Sequence, residues 1–403
     1  MTPRLEQRSQ ARSASKVAIV HYWIVSMRGG EKVLEALCEL FPTADIYTHV
    51  YDPEAISPVL RQRAIKTTLI GRLPFARKLY KIYLPLMPMA LEQLDLRDYD
   101  LVISSESGPA KGVLTRPDAV HICYCHTPMR YIWNMYLDYK QSVNPLLRPL
   151  IMWITGSLRS WDQHSANRVD LFLANSENIK RQIRKYYRRD ALVVHPPVDV
   201  DAFKTGPQGS DFYLAVGELV RYKRMDLAIE ACNRLRRRLV IIGTGEEYKS
   251  LRRIAGPTVG FLGRQDFAGL REHYARCRAL IFPGEEDFGI VPVEAMAAGK
   301  PVIALRRGGA IETVVEGRTG LFFDEQSVDV LERTLLRFED VEQLFDPAVI
   351  ARHARQFSRP EFKRRMVEVL EECAAGEPSL RFALLGAPQL QPEAAPIAVP
   401  LAV

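Results

Sequence analysis

The chain has 403 residues, 47% of them hydrophobic, and a formal net charge of +7. That length favours two hydrophobic cores over one. No apolar run reaches the roughly 18 residues a spanning helix needs, since the nearest, Pro145 to Leu158, is broken by Arg148 and Pro149.

Residues 1–15 carry arginines and no apolar centre, which is not the pattern of a secretory signal, and they are expected to be disordered. Val17 to Val20, Leu101 to Ser104, His121 to Cys125 and Leu171 to Ala174 are short apolar runs of strand length with helical stretches between them. Pro196-Pro197 opens a passage expected to end near Gly209. Phe212 to Val216, Leu239 to Gly243, Val259 to Leu262, Leu280 to Pro283 and Val302 to Leu305 repeat the strand pattern. Such alternation predicts α/β architecture with parallel sheets wrapped by helices, and ligands at the carboxyl ends of the strands. The expected division is 1–15 as a disordered start, 16–205 and 206–355 as two α/β domains, 356–375 as a helix and 376–403 as an Ala/Pro-rich tail. Phe362, Met366, Val369 and Leu370 give that last helix its apolar spacing. Six cysteines fit no metal spacing and suit a reducing compartment; Cys123 and Cys125 take alternate positions of one strand.

The chemistry concentrates between Pro283 and Pro301, PGEEDFGIVPVEAMAAGKP. A strand ending at Pro283 leads through a polar turn into a short helix that has Pro292 in its first turn and is stopped by Gly299. Gly289 lets a ligand approach the main chain, and the free N–H groups of Ile290 and Val291 at the helix start would face an anion such as a diphosphate. Glu294, expected in the first turn of the helix, would accept from a ribose diol, and Glu286 would reach a sugar ring. The plainer alternative is that Glu294 complements the helix N-terminus and that Glu285, Glu286 and Asp287 are solvated acids. No G-x-G-x-x-G fingerprint follows any strand, which weighs against a nicotinamide enzyme.

The pair Glu286 and Glu294, with Phe288-Gly289 between them, resembles the signature of the large glycogen/sucrose synthase-like family of retaining GT-B glycosyltransferases, glycosyltransferase family 4. His21 to Leu34, with Gly29-Gly30 opening a helix, is similar to that family's first strand and glycine loop. Tyr124 to Trp133 is similar to its active-site histidine block. DLFLANSE at 170–177, HPPVD at 195–199, VGELVRYKRMD at 216–226, IIGTGE at 241–246, FLG at 261–263 and RGGAIETV at 307–314 follow in order. The likeness spans 16–330 and is nearest to bacterial mannosyltransferases of surface polysaccharide assembly.

The resemblance implies a GT-B fold, two Rossmann-like domains (16–205 and 206–355) facing across a cleft, with the helix at 356–375 returning to the first; the lack of an apolar span and of a secretory pattern gives the expectation of a cytoplasmic enzyme. It implies a hexosyl transfer, most readily of mannose from GDP-mannose, to a saccharide or lipid-diphosphate-linked acceptor in exopolysaccharide, capsule or O-antigen synthesis. Lys223 would neutralise the diphosphate, helped by the amides near Gly289 and by Gly29 and Gly30, so that neither a metal nor another cofactor is required. The family usually has arginine where this chain has Glu218, so Arg221 or Arg224 would substitute. His126 would hold the transferred sugar or the acceptor hydroxyl, and Glu286 would position the sugar hydroxyls. A non-hydrolysing nucleotide-sugar epimerase and a catalytically weak sugar-binding scaffold are the alternatives.

Charge supplies a second signal. From Glu54 to Glu92 there is no acid, yet Arg61, Arg63, Lys66, Arg72, Arg77, Lys78 and Lys81 stand among apolar and aromatic residues, a composition suited to the anionic inner face of a membrane. A solvated helix face is the alternative. Lys180 to Arg189 and Arg234 to Arg238 read as exposed helix faces, and no motif supports nucleic-acid binding.

Overall fold

Short apolar runs, buried on both faces, build two separate parallel sheets. A computed structural model describes residues 16–137, 140, 144–206 and 211–376. The expectations for residues 1–15, for the Gly209 end of the passage and for residues beyond 376 lie outside the described residues.

The first sheet contains β1 (Val17–His21), β2 (Asp45–Thr48), β3 (Ile65–Thr67), β4 (Leu101–Glu106), β5 (Val120–Cys125), β6 (Leu171–Ala174) and β7 (Ala191–Val193), in the order β3-β2-β1-β4-β5-β6-β7. The second contains β8 (Phe212–Val216), β9 (Arg238–Ile242), β10 (Val259–Gly263), β11 (Leu280–Phe282), β12 (Val302–Leu305) and β13 (Gly320–Phe323), in the order β10-β9-β8-β11-β12-β13. The expected strands are present. The additional ones, β2, β3, β7 and β13, run three or four residues and include both edges of the first sheet and one edge of the second. An edge strand needs little apolar sequence, which is why its run is hard to distinguish from a loop.

In each sheet the strand order reverses once, between β1 and β4 and between β8 and β11. Such a reversal leaves a crevice at the carboxyl ends of the two strands. His21 lies opposite Ser105 across the first reversal, and Leu214 opposite Leu280 across the second.

The helices that matter for the crevices are α1 (Gly29–Leu40), α2 (Arg148–Ser165), α3 (Glu177–Tyr187), α4 (Met225–Leu235), α5 (Ile290–Ala297) and α6 (Arg359–Gly376). In α1 the Glu31 carboxyl oxygen Oε2 accepts from the Arg28 N–H at 2.9 Å, and in α3 the Ser176 hydroxyl accepts from the Ile179 N–H at 3.1 Å; each satisfies a donor the helix start leaves open. Gly299, at φ +74°, ends α5: its N–H donates to Met296 O at 2.8 Å and the Lys300 N–H to Ala295 O at 2.9 Å, a left-handed close that glycine permits. Phe362, Met366, Val369 and Leu370 of α6 are buried in the core of the first sheet beside Leu34, Ile103 and Ile122. The chain thus crosses back after completing its second domain.

The basic segment before residue 92 is a series of turns and short helices, Leu69–Arg72, Ala76–Leu79, Leu84–Leu86 and Met87–Glu92, rather than one helix. They pack around a small cluster of Val50, Ile70, Ala76, Met87 and Ala90.

Candidate active site

β8 and β11 end side by side. The turn after β8 carries Lys223 and the loop after β11 carries Glu286, whose Oε1 lies 2.7 Å from Lys223 Nζ. Burial alone would lower the lysine's pKa, but the Glu286 carboxylate outweighs it and holds the ammonium above its ordinary value. The loop continues to Gly289 at φ +88°, then α5 begins with no side chain capping it. Pro292 has no N–H, so Ile290 and Val291 supply the open donors of that helix start.

Both acids of the signature carry partners. Glu294 sits in the second turn of α5, not the first, because the helix begins at Ile290. It is buried, accepts from Tyr274 Oη at 3.0 Å and lies 3.5 Å from Lys32 Nζ of the first domain. Burial raises its pKa, with Lys32 opposing. Of the three loop acids, Glu285 is exposed, whereas Asp287 is buried and accepts from Arg130 Nε at 2.9 Å. The Asp287 carbonyl accepts from Ser176 Oγ at 2.7 Å, so this loop is fastened to the first domain by both side chain and main chain. Gly309 N–H donates to Glu286 O at 2.8 Å and holds the loop from the other side.

One expectation is corrected. Phe288 does not line the crevice: its ring is buried in the second core, 5.6 Å from the Phe357 ring and 5.4 Å from His195. Arg221 is exposed in a turn beside the Lys223–Glu286 pair. Arg224 is bound to Asp226 at 2.9 Å. The cation beside Glu218 comes from the first domain instead, with Arg28 Nη1 3.4 Å from Glu218 Oε2.

Gly29 and Gly30 meet this crevice from the opposite side. A Cβ on Gly29 would fall 2.6 Å from Ile290 Cδ1, and one on Gly30 would fall 2.4 Å from Tyr22 Oη. The glycine loop of the first domain therefore lies directly against the start of α5. His126 follows β5 on the same floor: its N–H donates to Glu106 O at 2.8 Å, its carbonyl accepts from Asn175 Nδ2 at 2.9 Å, and its Nε2 is 2.8 Å from Ser105 Oγ. Burial pushes its pKa down to about 3, leaving a neutral imidazole.

The structure thus brings Lys223, Glu286, Gly289, Ile290, Val291 and Glu294 together on one domain and sets Gly29, Gly30 and His126 on the other. Sequence reasoning missed Arg28, Lys32, Arg130, Tyr274 and Ser105. Arg28 and Lys32 flank the quoted glycines, and a signal was available there; Arg130 and Tyr274 act over long chain separations.

Comparison with known proteins agrees with this geometry. The model described as Glycosyltransferase Family 4 matches residues 27–202, and that described as Glycosyl transferases group 1 matches residues 197–356. The alpha-1,3/1,6-mannosyltransferase ALG2 of Homo sapiens is 27% identical over 296 residues, 62% of this chain and 68% of that protein. A GDP-mannose-dependent alpha-(1-6)-phosphatidylinositol monomannoside mannosyltransferase of Mycobacterium tuberculosis is 34% identical over 164 residues, 33% of this chain and 43% of that protein. These matches therefore span 68% and 43% of the two relatives' own lengths. The crystal structure of HepE from Anabaena, in complex with UDP and glucose, superposes with a TM-score of 0.67 at 17% identity, over 89% of this chain and 99% of that one. With two parallel-sheet domains, a crevice at each strand reversal and family matches that together run from residue 27 to residue 356, the chain belongs to the GT-B glycosyltransferases of family 4.

Proposed function

We propose that the chain is a retaining hexosyltransferase that moves mannose from GDP-mannose to a saccharide or lipid-diphosphate-linked acceptor in surface polysaccharide assembly. The observation that carries this reading is the Lys223–Glu286 pair under the open start of α5, at the strand reversal of the second domain and against Gly29. Lys223 and the Ile290 and Val291 amides suit the diphosphate, where helix-end attraction contributes roughly 0.3–2 kcal/mol. Glu294 suits the ribose diol and Glu286 the sugar hydroxyls. In the reaction the bond from the sugar's anomeric carbon to the phosphate oxygen breaks and the acceptor oxygen bonds to the same face, its proton passing to the departing diphosphate. Lys223 and the helix amides stabilise the charge that grows on that group, the role a metal ion fills in other transferases. The 34% identical mannosyltransferase favours GDP-mannose as the donor.

The acceptor side favours a membrane surface. Phe75 is 77% exposed, Ile82 68%, Leu146 88% and Trp153 73%. Leu84 packs on two small apolar clusters, one of Val50, Ile70, Ala76, Met87 and Ala90 and one of Met129, Ile132 and Leu158, which links the segment before residue 92 to α2. Among the described residues no helix is long and apolar enough to cross a membrane, so this face would lie on the bilayer, with Arg72, Arg77, Lys78 and Lys81 each contributing about 1 kcal/mol against anionic lipid.

Thermal shift with GDP, UDP and ADP, followed by transfer from GDP-mannose to a lipid-diphosphate acceptor, tests the reading. Stabilisation by GDP and acceptor-dependent release of GDP are expected; release of product without any acceptor would point to an epimerase, and no ligand response to a scaffold. Flotation with phosphatidylglycerol vesicles at low salt tests the surface, and loss of binding in a Phe75→Ser/Trp153→Ser chain is expected.

A further inference from the structure

The carboxyl ends of β1, β4 and β5 hold a chain of three polar side chains, of which only His126 has so far been given a role at the crevice. His21 Nδ1 lies 3.0 Å from Ser105 Oγ, and the same oxygen lies 2.8 Å from His126 Nε2. His21 is 1% exposed and its Nε2 is buried without a hydrogen-bond partner. Its ring faces the glycine loop, with Cε1 3.5 Å from where a Cβ on Gly30 would stand. His126 offers its remaining nitrogen, Nδ1, from the same floor.

A serine hydroxyl carries one proton, and a neutral imidazole carries one proton on one of two nitrogens. Burial keeps both rings neutral. To bond both rings at once, Ser105 must donate to one and accept from the other. If His126 Nε2 is protonated, its Nδ1 is bare, His21 Nδ1 is bare and His21 Nε2 carries a proton. If instead His21 Nδ1 is protonated, every one of these assignments reverses.

We infer that Ser105 and His21 are positioning residues for His126, because the shared hydroxyl couples the two rings so that His126 Nδ1 and His21 Nε2 always present one donor and one acceptor. A sugar hydroxyl both donates and accepts, so His126 Nδ1 can meet it in either tautomer without ionising a ring. The use of His126 for a hydroxyl rests on the transferase reading; the coupling is a property of the unliganded chain.

The test is long-range ¹H–¹⁵N spectroscopy of the full chain labelled at histidine, at neutral pH, with ring signals assigned by their loss in His21→Gln and His126→Gln. Opposite protonation of His21 Nε2 and His126 Nδ1 is expected in the wild type. Ser105→Ala should change the His126 tautomer populations while the His49 and His195 signals stay in place, and Ser105→Thr, which keeps the hydroxyl, should restore them. Like protonation of the two nitrogens in the wild type, or His126 signals indifferent to Ser105→Ala, would overturn the coupling. With GDP-mannose as donor, Ser105→Ala should lower kcat on the order of 10-fold while leaving KM within about twofold, and Ser105→Thr should recover most of it. A KM rise with kcat unchanged would also overturn the inference. Absence of turnover by the wild type would count against the donor assignment alone, and the spectra would still decide the coupling.

Discussion

Glu286 and Lys223 form an ion pair at 2.7 Å that is mostly shielded from water. A sugar nucleotide would replace it with better partners, the diphosphate for Lys223 and sugar hydroxyls for Glu286. Glu286→Ala is expected to slow transfer on the order of 10² while leaving GDP stabilisation in place, since orientation of the sugar and not capture of the nucleotide is lost. Lys223→Met should do the opposite and abolish the thermal response to GDP. A Glu286→Ala chain that transfers at the wild-type rate would remove this residue from the site. The sequence marked both residues by their motif. It could not mark Asp287 as the acid that fastens the domains, because three consecutive acids look alike until the fold buries one beside Arg130.

Two helix starts carry their own predictions. In α1, burial raises the Glu31 carboxyl to about 7, with its backbone hydrogen bonds opposing. The folded chain therefore holds a proton there that the unfolded chain loses near pH 4.5, and stability falls as pH rises from about 4.5 to about 7, by at most about 1.4 kcal/mol per unit. Glu31→Gln keeps an oxygen acceptor for the Arg28 N–H, so its urea midpoint relative to the wild type should climb between pH 5 and pH 8. A constant difference across that range would refute the buried, protonated carboxyl. In α5, Gly289→Ala would place a side chain at φ +88° and should cost about 1–2 kcal/mol in urea unfolding. A Cβ there would meet Phe282 and Pro292 no closer than 3.5 Å, so that cost is conformational and not steric. The helix stop at Gly299 and the bend at Gly289 were legible because glycine is the residue such backbone requires. The position of Glu294 was misjudged by one turn because Pro292 marks a first turn without saying which of its residues comes first.

At the scale of the whole molecule, the chain's last described helix completes its first core. Phe362 is 2% exposed and packs on Tyr124 with ring centroids 5.8 Å apart. The four tryptophans, at 23, 133, 153 and 161, all belong to the first half of the sequence, so their fluorescence reports that domain. Phe362→Ala should shift the fluorescence-detected unfolding by about 3–5 kcal/mol, although residue 362 lies beyond the end of the second sheet. An unshifted transition would show that α6 does not contribute to that core. The two domains also meet through Lys32–Glu294, Arg28–Glu218 and Arg130–Asp287. Each joins a basic residue of the first domain to an acid of the second, so the two domains are held together beside the candidate site.

The alternation of apolar runs with helical stretches was enough to imply two parallel sheets, since strands buried on both faces must be apolar throughout. The glycine bend, the acids around it and the lysine were visible as local patterns because helix starts, tight turns and anion contacts depend on residues close in the chain. Which acid is paired, which aromatic is core and which cation serves the crevice were decided only by the tertiary structure. Phe288 turned inward, Arg221 outward, and Arg28 arrived from the other domain. Those outcomes depend on how side chains far apart in sequence are packed and desolvated together, and no local spacing carries that information.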